Sequence, residues 1–379
     1  MPARLNVAFV GPSLDILGGQ AVQADRLIRA WRGDPDVNAW LVPVNPRPPR
    51  VLSPIRRVKY ARTIVNQLIY LPSLVRELAK ADVVHVFSAS YSSFLLAPLP
   101  AIRIARALRK PVLLNYRSGH APKHLAGSAV ARRAIASADL NVVPSQFLVD
   151  VFRGFGITAT IVPNIVDLDR FRFSERTPLR PRLLSTRNFE ALYDVACTLR
   201  AFELVQKRYP DASLTLVGGG PEEPKLRELV RDLDLRNVTF TGRVNPDCIA
   251  DYYASHDIYV QSPTVDNMPT SILEAFASGL AVVSTNAGGI PVIVTHGTEG
   301  LLAPIGNHQA IADHVLHLLD HPDEGRKLTR AAFQTCQART WANVREQWLN
   351  HYSTLAGTAP ARRSHMVETP RAIAPGAER

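Results

Sequence analysis

The chain alternates short apolar segments with longer amphipathic segments over most of its length, and this alternation limits the folds that it can adopt. Apolar runs of four to six residues have the length of buried β-strands. The amphipathic stretches between them have the periodicity of helices. Repeated β-α-β units of this kind predict an α/β protein built on parallel sheets.

The alternation occurs twice, which predicts two domains, and a length of 379 residues suits two cores. The first series of expected strands is 5–10, 37–44, 81–87, 111–116, 140–145 and 159–164, with helices at 19–32, 55–79, 94–109, 129–137 and 145–154. A polar, proline-containing segment after Phe173 indicates a linker. The second series of expected strands is 181–186, 213–219, 238–243, 257–262 and 280–285, with helices at 194–208, 222–233, 246–254, 270–278 and 308–319.

These series define domains at 1–173 and 174–339, each predicted to be a doubly wound sheet. Two such domains leave a crevice at the carboxyl ends of their strands, where these folds bind ligands. A last helix over 340–356 is expected to pack back toward the first domain. The tail, 357–379, lacks apolar periodicity and is predicted to be disordered.

The net charge of +11 is concentrated in one half of the chain. Residues 1–173 hold 23 Lys and Arg against 10 Asp and Glu, a net +13, and residues 174–379 have a net charge of −2. Anionic lipid, a phosphorylated acceptor or nucleic acid would each match the basic half. Nucleic acid is disfavoured because no zinc finger, aromatic RNA-binding segment or helix-turn-helix pattern occurs.

The sequence favours a cytoplasmic location. Its apolar N-terminal run is too short for a signal peptide, and no uncharged stretch of 18 apolar residues is present to span a membrane. Three scattered cysteines, an odd number, suggest a reducing compartment and lack the spacing of metal ligands.

The segment 257–306 carries most of the chemical information. A loop containing Asp266 leads to Pro269, which precedes a predicted helix that Gly279 ends. The first turn of a helix has free backbone N–H groups and a partial positive charge, which suit a diphosphate. Asp266 and Glu274 are eight residues apart, and their carboxylates can accept hydrogen bonds from the hydroxyl groups of a sugar and a ribose.

This pattern resembles that of the family 4 glycosyltransferases, which have the GT-B fold. The family has an acidic residue, a Gly/Asn-x-Pro turn, a Glu eight residues after the first acidic residue, and a later Gly-Gly-Ile-Pro. The corresponding residues here are Asp266, Asn267, Met268, Pro269, Glu274, Ala275, Gly279, Gly288, Gly289, Ile290 and Pro291. The resemblance covers about Val7 to Tyr352 and implies two Rossmann-like domains facing across a cleft.

The resemblance also implies roles for these residues. Glu274 is expected to bind the ribose of a nucleotide-sugar donor, and Asp266 the hydroxyl groups of its sugar. The residues expected to bind the donor around the helix start are Asn267, Met268, Pro269, Thr270 and Ser271. The family usually has Glu at the position of Asp266, and the shorter Asp leaves the donor sugar and its pose open.

Arg187, after the first strand of the second series, matches the family's diphosphate-binding Arg. Its planar guanidinium suits two-pronged contacts with phosphate as charge grows on the leaving group. The family commonly has a Lys five residues later, but this chain has Leu192 there, followed by Tyr193. Losing one preorganised charge of this kind costs on the order of 3 kcal/mol of transition-state stabilisation. Either another group replaces it or turnover is slow.

Further candidates come from both halves. Gly18 and Gly19 follow the first strand, and the resemblance implies that this pair touches the donor diphosphate. Gly242 and Arg243 complete the expected donor-binding set.

Arg117 stands where many relatives place a His near the reacting sugar. His120, three residues on, either takes that part or is an ordinary loop histidine. Arg117 and His120 are therefore candidate catalytic residues beside Arg187, Asp266 and Glu274.

No metal site and no cofactor are predicted. The Asp-x-Asp segments at 167–169 and 232–234 imitate a metal motif of a different glycosyltransferase fold, but the first lies in the inter-domain segment and the second at a helix end. Structural roles are favoured for both. The segment GGGPEE, at 218–223, fails the dinucleotide fingerprint because Glu223 occupies the third Gly position.

The segment 53–71 predicts a helix with Val58, Ala61, Val65, Leu68 and Ile69 on one face and basic residues opposite or flanking: Arg56, Arg57, Lys59 and Arg62. Inward packing of the apolar face is favoured. The alternative is peripheral docking on an anionic membrane to reach a lipid-linked acceptor.

The sequence therefore predicts a metal-independent glycosyltransferase that uses a nucleotide-sugar donor and a hydroxyl acceptor, and the family resemblance implies that it retains the anomeric configuration. Without an obvious covalent nucleophile, front-face attack is expected, with the leaving diphosphate helping to deprotonate the acceptor. An epimerase or a phosphorylase fits the Asp266–Glu274 pattern less well, and the failed fingerprint excludes a nicotinamide dehydrogenase. A nucleotide-sugar-binding protein with weak or lost catalysis remains the alternative, because Asp replaces Glu at 266 and the Lys at 192 is missing.

Overall fold

The computed structural model describes residues 4–15, 18–46 and 59–358. They form two six-stranded sheets in which all neighbouring strands are parallel. The strands of the first sheet are β1 (Leu5–Gly11), β2 (Val37–Pro43), β3 (Val83–Ser88), β4 (Val112–Tyr116), β5 (Leu140–Val143) and β6 (Thr160–Ile161). Those of the second are β7 (Arg182–Ser185), β8 (Ser213–Val217), β9 (Val238–Gly242), β10 (Ile258–Gln261), β11 (Ala281–Thr285) and β12 (Leu301–Ala303).

Helices connect the strands in both halves. Those of the first half are α1 (Gly19–Ala30), α2 (Lys59–Leu78), α3 (Tyr91–Leu96), α4 (Pro98–Ala107), α5 (Ala121–Gly127), α6 (Ala129–Ala136) and α7 (Gln146–Arg153). Those of the second are α8 (Val195–Arg208), α9 (Glu223–Asp232), α10 (Ile249–Ser255), α11 (Thr270–Ser278), α12 (His308–Asp320), α13 (Pro322–Gln337) and α14 (Trp341–Leu355). Short 3₁₀ helices occupy Ala191–Tyr193, Pro246–Cys248 and Ile290–Val292.

The strand orders confirm the predicted α/β class with two doubly wound sheets. The first sheet has the order β2-β1-β3-β4-β5-β6 and the second β12-β11-β10-β7-β8-β9. The order reverses direction between β1 and β3 and between β7 and β10, and doubly wound folds bind ligands at the carboxyl ends of such strands. The loops after β1, β7 and β10 carry Gly18-Gly19, Arg187 and Asp266.

The central strands are buried on both faces. Every residue of β3 and β4 is buried, as is every residue of β10 and β11. Because helices cover both faces of a parallel sheet, such strands are near-continuous apolar runs, which is why the sequence revealed them.

Some predicted elements are wrong in detail. The helix expected over 94–109 is two helices, α3 and α4, because Pro98 starts the second one and cannot continue the first. The sequence also gave no indication of β12, which has three residues, or of α5, which has seven. Helix α13 was missed because its buried face includes small and polar residues such as Gly325 and Thr329.

Helix α14 packs on the first sheet although it is last in the chain. Its residues Val344, Trp348 and Tyr352 are buried in one cluster with Phe9 and Trp31. This helix therefore contributes to the core of the first half. The predicted tail lies outside the described residues from 359 onward.

Helix α2 faces differently from the prediction. Among residues 63–78, whose side chains the structure describes, Tyr70, Leu74 and Leu78 are buried, whereas Leu68 is 69% exposed. The helix extends beyond the segment from which the face was predicted, and these three residues at four-residue spacing pack inward instead. Residues 53–58 of the prediction, and the side chains of residues 59–62, lie outside the described part of the chain. None of the helices in the described ranges is long and apolar enough to cross a bilayer.

Candidate functional site

Helix α11 begins at the cleft with its backbone donors free of side-chain caps. Pro269 is the residue before the helix and makes no side-chain cap, and Gly279 ends it with φ +77°. The remaining residues of the helix after Thr270 are buried. Uncapped N–H groups and the helix dipole give this end a partial positive charge.

The Gly288-Gly289 pair supports the loop that precedes this helix. A methyl group at Gly288 would lie 2.1 Å from the Asp266 carbonyl oxygen, and one at Gly289 would lie 2.3 Å from that of Asn267. The Gly289 N–H donates to the Asp266 carbonyl at 3.2 Å. Close backbone approach therefore explains both glycines of the motif.

Arg187 and Asp266 form an ion pair at the centre of the cleft. An Arg187 Nη2 hydrogen bonds to Asp266 Oδ2, and their side chains are 10% and 14% exposed. Arg187 Nη1 also donates to Ser271 Oγ at 3.2 Å. Burial acts to lower the pKa of Arg187, but the charge of Asp266 together with the nearby Tyr193, Tyr259 and Tyr253 outweighs it, and the net shift is upward.

Tyr193 covers the guanidinium of Arg187. The Arg187 Cζ lies 4.0 Å from the centroid of the Tyr193 ring, a cation–π contact. Burial raises the pKa of Tyr193. The aromatic ring thus stands next to the position where the family commonly has Lys.

Glu274 pairs with a residue of the first half of the chain. Arg26, on α1, donates from Nη2 to Glu274 Oε1, and the two side chains are 10% and 8% exposed. Glu274 lies on the second turn of α11, whereas Arg26 lies two turns after Gly19. The pair bridges the two domains across the cleft.

Two adjoining cavities lie between the domains. The first is about 180 Å³ and the second about 240 Å³. Residues that line both are Gly19, Arg187, Tyr193 and Thr270. Predicted residues that line the first alone are Gly18, Ser271, Glu274 and Arg243, and those that line the second alone are Asp266, Met268, Pro269, Arg117 and His120.

Two predicted donor-binding residues line neither cavity. Asn267 is buried between the domains, where its Oδ1 accepts a hydrogen bond from Ser145 Oγ at 2.6 Å. Its side chain therefore joins the domains instead of facing the open space. Gly242 ends β9 with φ +71° and serves the turn there.

Arg117 belongs to a hydrogen-bonded chain behind the second cavity. Its Nε donates to Asn115 Oδ1 at 2.9 Å, and its Nη1 donates to Asn164 Oδ1. Asn164 in turn donates from Nδ2 to the Met268 carbonyl at 3.0 Å. Burial lowers the pKa of Arg117 to about 10, so it remains charged at neutral pH. His120 directly precedes α5, and the centroid of its ring lies 5.6 Å from that of the Tyr91 ring.

The sequence reasoning missed residues that tertiary structure brings to the cleft. Arg26 and Arg170 line the first cavity, and Gln23 lines the second. A signal existed for α1, because Gly19, Gln23 and Arg26 follow one another at helical spacing on one face. Arg170 directly follows the first Asp-x-Asp segment, which was interpreted as structural only.

The Asp-x-Asp segment at 167–169 acts as a turn. Asp167 Oδ1 accepts the backbone N–H groups of Asp169 and Arg170, both at 3.1 Å. In the described part of the chain, no three His, Cys, Asp or Glu residues group as metal ligands do.

Two family models cover most of the chain. The one described as glycosyl transferases group 1 matches residues 180–321, and the one described as glycosyltransferase family 4 matches residues 17–170. The chain belongs to the family 4 glycosyltransferases. The residues that line the cleft come from both matched segments.

Relatives of this chain are named for the transfer of different sugars. A sulfoquinovosyl transferase of Arabidopsis thaliana is 26% identical over 312 residues, which are 74% of this chain and 59% of the relative. A GDP-mannose-dependent phosphatidylinositol monomannoside mannosyltransferase of Mycobacterium tuberculosis is 29% identical over 214 residues, 51% of this chain and 54% of the relative. The matched segments thus span little more than half of each relative.

Solved structures support the same fold. Anabaena HepE in complex with UDP-glucose matches with a TM-score of 0.73 at 16% identity, over 93% of this chain and 100% of that one. Sucrose-phosphate synthase from Thermosynechococcus elongatus matches with a TM-score of 0.72 at 19% identity, over 94% and 100%. The GT-B architecture of the glycosyltransferase is therefore shared over nearly its whole length.

Proposed function

We propose that the protein transfers a sugar from a nucleoside diphosphate carrier to a hydroxyl group, with retention at the anomeric carbon and without a metal ion. One observation carries the proposal. Glu274, Arg187, the start of α11 and the Gly18-Gly19 pair all line one cavity at the carboxyl ends of both sheets.

The order of the residues along the cleft matches the order of groups in such a donor. Glu274 lines the first cavity, Asp266 lines the second, and Arg187 lines both. A donor with its ribose at Glu274 and its sugar at Asp266 would therefore place its diphosphate at Arg187. The amides of Thr270 and Ser271 belong to the same helix end and favour the same anion.

The second cavity suits a front-face reaction. Asp266 is the one carboxylate among its described lining residues, and it is paired with Arg187. We propose that the bond from the anomeric carbon to the diphosphate breaks as the acceptor oxygen bonds to that carbon from the same face. The acceptor proton passes to a diphosphate oxygen, so no protein nucleophile is consumed. Arg187 and the helix end stabilise the charge on the leaving group.

Arg117 and His120 line the cavity that would hold the sugar and the acceptor hydroxyl. We propose that Arg117 positions the donor loop through Asn164 and Met268, with His120 close to the reacting sugar. The names of relatives favour either a UDP-sugar or a GDP-sugar as donor. Both classes belong in the first screen.

Release of UDP or GDP from a panel of their sugars, with candidate hydroxyl acceptors and EDTA, tests the proposal. Glu274→Ala and Arg187→Ala are expected to lower transfer and donor hydrolysis at least about tenfold each while the protein stays folded. The matched controls are Glu228→Ala and Arg200→Ala, which change exposed residues of the second domain. Wild-type activity in both cleft variants would reject this site.

The same experiment separates an enzyme from a binding protein. The ion pair between Arg187 and Asp266, together with Leu192 in place of Lys, motivates the alternative of a nucleotide-sugar-binding protein with little catalysis. That alternative predicts nucleotide binding that Glu274→Ala weakens, with no release of nucleoside diphosphate. Retention is tested by NMR of the anomeric product.

We further propose that helix α2 docks on an anionic membrane. Four of its apolar residues are exposed at helical spacing: Ile64, Leu68, Leu71 and Val75 are 62%, 69%, 39% and 49% exposed. Helix α3 lies beside it, because Gln67 Nε2 donates to the Leu96 carbonyl at 2.9 Å, and its Leu95 is 46% exposed. The net +13 of residues 1–173 complements anionic lipid.

Co-sedimentation with vesicles tests this docking. The protein is expected to bind vesicles of phosphatidylglycerol and phosphatidylcholine more than vesicles of phosphatidylcholine alone, and Ile64→Gln with Leu68→Gln should abolish the difference. Val292→Gln, at a 45% exposed apolar residue of the second domain, is the matched control. Equal binding by the double variant and the wild type would reject the surface.

A further inference from the structure

Arginine dominates the charge of the first cavity. Among its described lining residues, Arg26, Arg170, Arg187 and Arg243 face a single carboxylate, that of Glu274. Arg187 is already paired with Asp266 of the adjoining cavity, so the lining carries an excess of two positive charges. A nucleoside diphosphate sugar carries its negative charge on two adjacent phosphates, which matches this excess in sign.

Three of these guanidinium groups have unused donors. Arg26 Nη1, Arg170 Nη2 and Arg187 Nε are buried and have no hydrogen-bond partner among the described residues. A buried donor without an acceptor lowers stability, and for a charged donor the cost is larger. Phosphate oxygens accept such donors in short, charge-assisted hydrogen bonds, so a bound diphosphate would remove this cost.

Two of the guanidinium groups lie against the ring of Phe171. The Cζ of Arg26 lies 5.6 Å from the centroid of its ring, and that of Arg170 lies 5.3 Å from it. The Phe171 side chain is 1% exposed and fixed in the core. Because both positive charges line the same cavity, an anion there that contacts both would reduce their repulsion.

Arg26 can contact such an anion without releasing Glu274. Its Nη2 donates to Glu274, and its Nη1 is the donor without a partner. A guanidinium is a planar fork with several donors, so one side chain can hold a carboxylate and a phosphate oxygen together. Arg26 would then hydrogen bond both to Glu274, the residue proposed to bind the ribose, and to the neighbouring diphosphate.

We propose that Arg26 and Arg170 bind the donor diphosphate from the side of the first domain and supply the cation that this chain lacks at Leu192. The inference rests on the proposed function, because it assumes that a nucleoside diphosphate occupies the first cavity. It adds two residues to that site, and both belong to the first 173 residues of the chain. The donor would then be held by cations from both domains.

Calorimetric titration of the full chain tests the pair. The ligands are uridine, UMP and UDP, and guanosine, GMP and GDP, so that the contribution of each phosphate is read from the affinity differences. Arg26→Gln and Arg170→Gln are each expected to raise the Kd of the bound nucleoside diphosphate about tenfold or more and to change that of the nucleoside less than about twofold. Arg26→Lys should restore part of the affinity.

The controls are Arg29→Gln, an exposed residue of α1, and Arg172→Gln, an exposed residue next to Phe171. Both are expected to bind like the wild type. Arg170→Gln breaks no ion pair among the described residues, so it tests the proposal even where Arg26→Gln impairs folding.

The inference is overturned if both variants bind the diphosphate like the wild type, or if they lose nucleoside and diphosphate affinity equally. If Arg187→Ala alone loses the diphosphate, the inference fails and the proposed function stands. If the wild type binds neither UDP nor GDP and releases neither from any sugar, both fail.

Discussion

At the scale of single residues, the contact between Tyr193 and Arg187 has a testable consequence. The ring 4.0 Å from the Arg187 Cζ holds the guanidinium against Asp266 and the diphosphate position. We expect Tyr193→Ala to lower kcat/KM about fivefold, since a cation–π contact contributes about 1 kcal/mol. Tyr193→Phe keeps the ring and should retain activity. Steady-state kinetics would contradict this role if the Phe variant lost as much as the Ala variant.

The residues that the sequence identified are those that follow strands or helix starts. Arg187 and Asp266 were predictable because the order of elements puts them at the carboxyl ends of strands. Glu274 lies on α11, and only the resemblance to the family 4 pattern singled it out. Arg26 was not predictable, since its position opposite Glu274 depends on how the domains meet, across 248 residues of chain. Its pairing follows from packing that no local pattern contains.

At the scale of elements, helix α14 is tied to the first domain by charge as well as by its apolar face. Arg345 Nε lies 2.7 Å from Asp34 Oδ2, and its Nη2 lies 2.6 Å from Asp36 Oδ2. Burial acts to raise the pKa of Asp34, but the hydrogen bond and charge of Arg345 lower it, and the net shift is downward from 3.8.

We therefore expect Arg345→Ala to lower the free energy of unfolding by about 2 kcal/mol at neutral pH. Because the folded pKa of Asp34 is depressed, its contribution is present above the unfolded value and is lost as pH falls through the folded pKa. Urea unfolding at pH 7 and near pH 3 measures this. If the difference in the free energy of unfolding between the wild type and Arg345→Ala is as large near pH 3 as at pH 7, the Arg345–Asp34 pair does not have the proposed role.

Elements were predictable where the residues that start and end a helix agree with the pattern of burial. Helix α11 was predicted at its observed bounds because Pro269 precedes it and Gly279 ends it in a left-handed conformation. The exposed stripe of α2 was misjudged, since an apolar face at helical spacing does not reveal whether the rest of the fold covers it. The core decides this, and Tyr70 and Leu74 occupy the inner face.

At the scale of the whole molecule, one chain of hydrogen bonds runs from α14 to the donor loop. Asn115 Oδ1 accepts from Arg117, so its Nδ2 faces His85 Nε2, at 2.9 Å, and donates to it. The His85 proton must then lie on Nδ1, which donates to the Tyr352 hydroxyl at 2.8 Å. Through Arg117 and Asn164 the chain reaches the carbonyl before Pro269. The last helix and the proposed donor site therefore share one network.

This network predicts how the stability of the protein depends on pH. Burial and the charge of Arg117 lower the pKa of His85 well below 6.5. A second ring proton would also face the N–H donor of Asn115. Below about pH 6.5, His85 takes up a proton in the unfolded chain but stays neutral in the folded protein. The free energy of unfolding is therefore highest above about pH 6.5 and decreases as the pH falls below that value. From pH 7.5 to 5.5 we expect His85 to account for a loss of about 1.4 kcal/mol.

His85→Gln should reduce this pH dependence, whereas His308→Gln, at the start of α12, should retain it. Urea unfolding across this pH range measures both. Equal slopes for the His85 variant and the wild type would show that other groups cause the acid sensitivity. A smaller slope accompanied by weaker nucleotide binding would link the last helix to the donor loop through the hydrogen bonds of Asn115, Arg117 and Asn164.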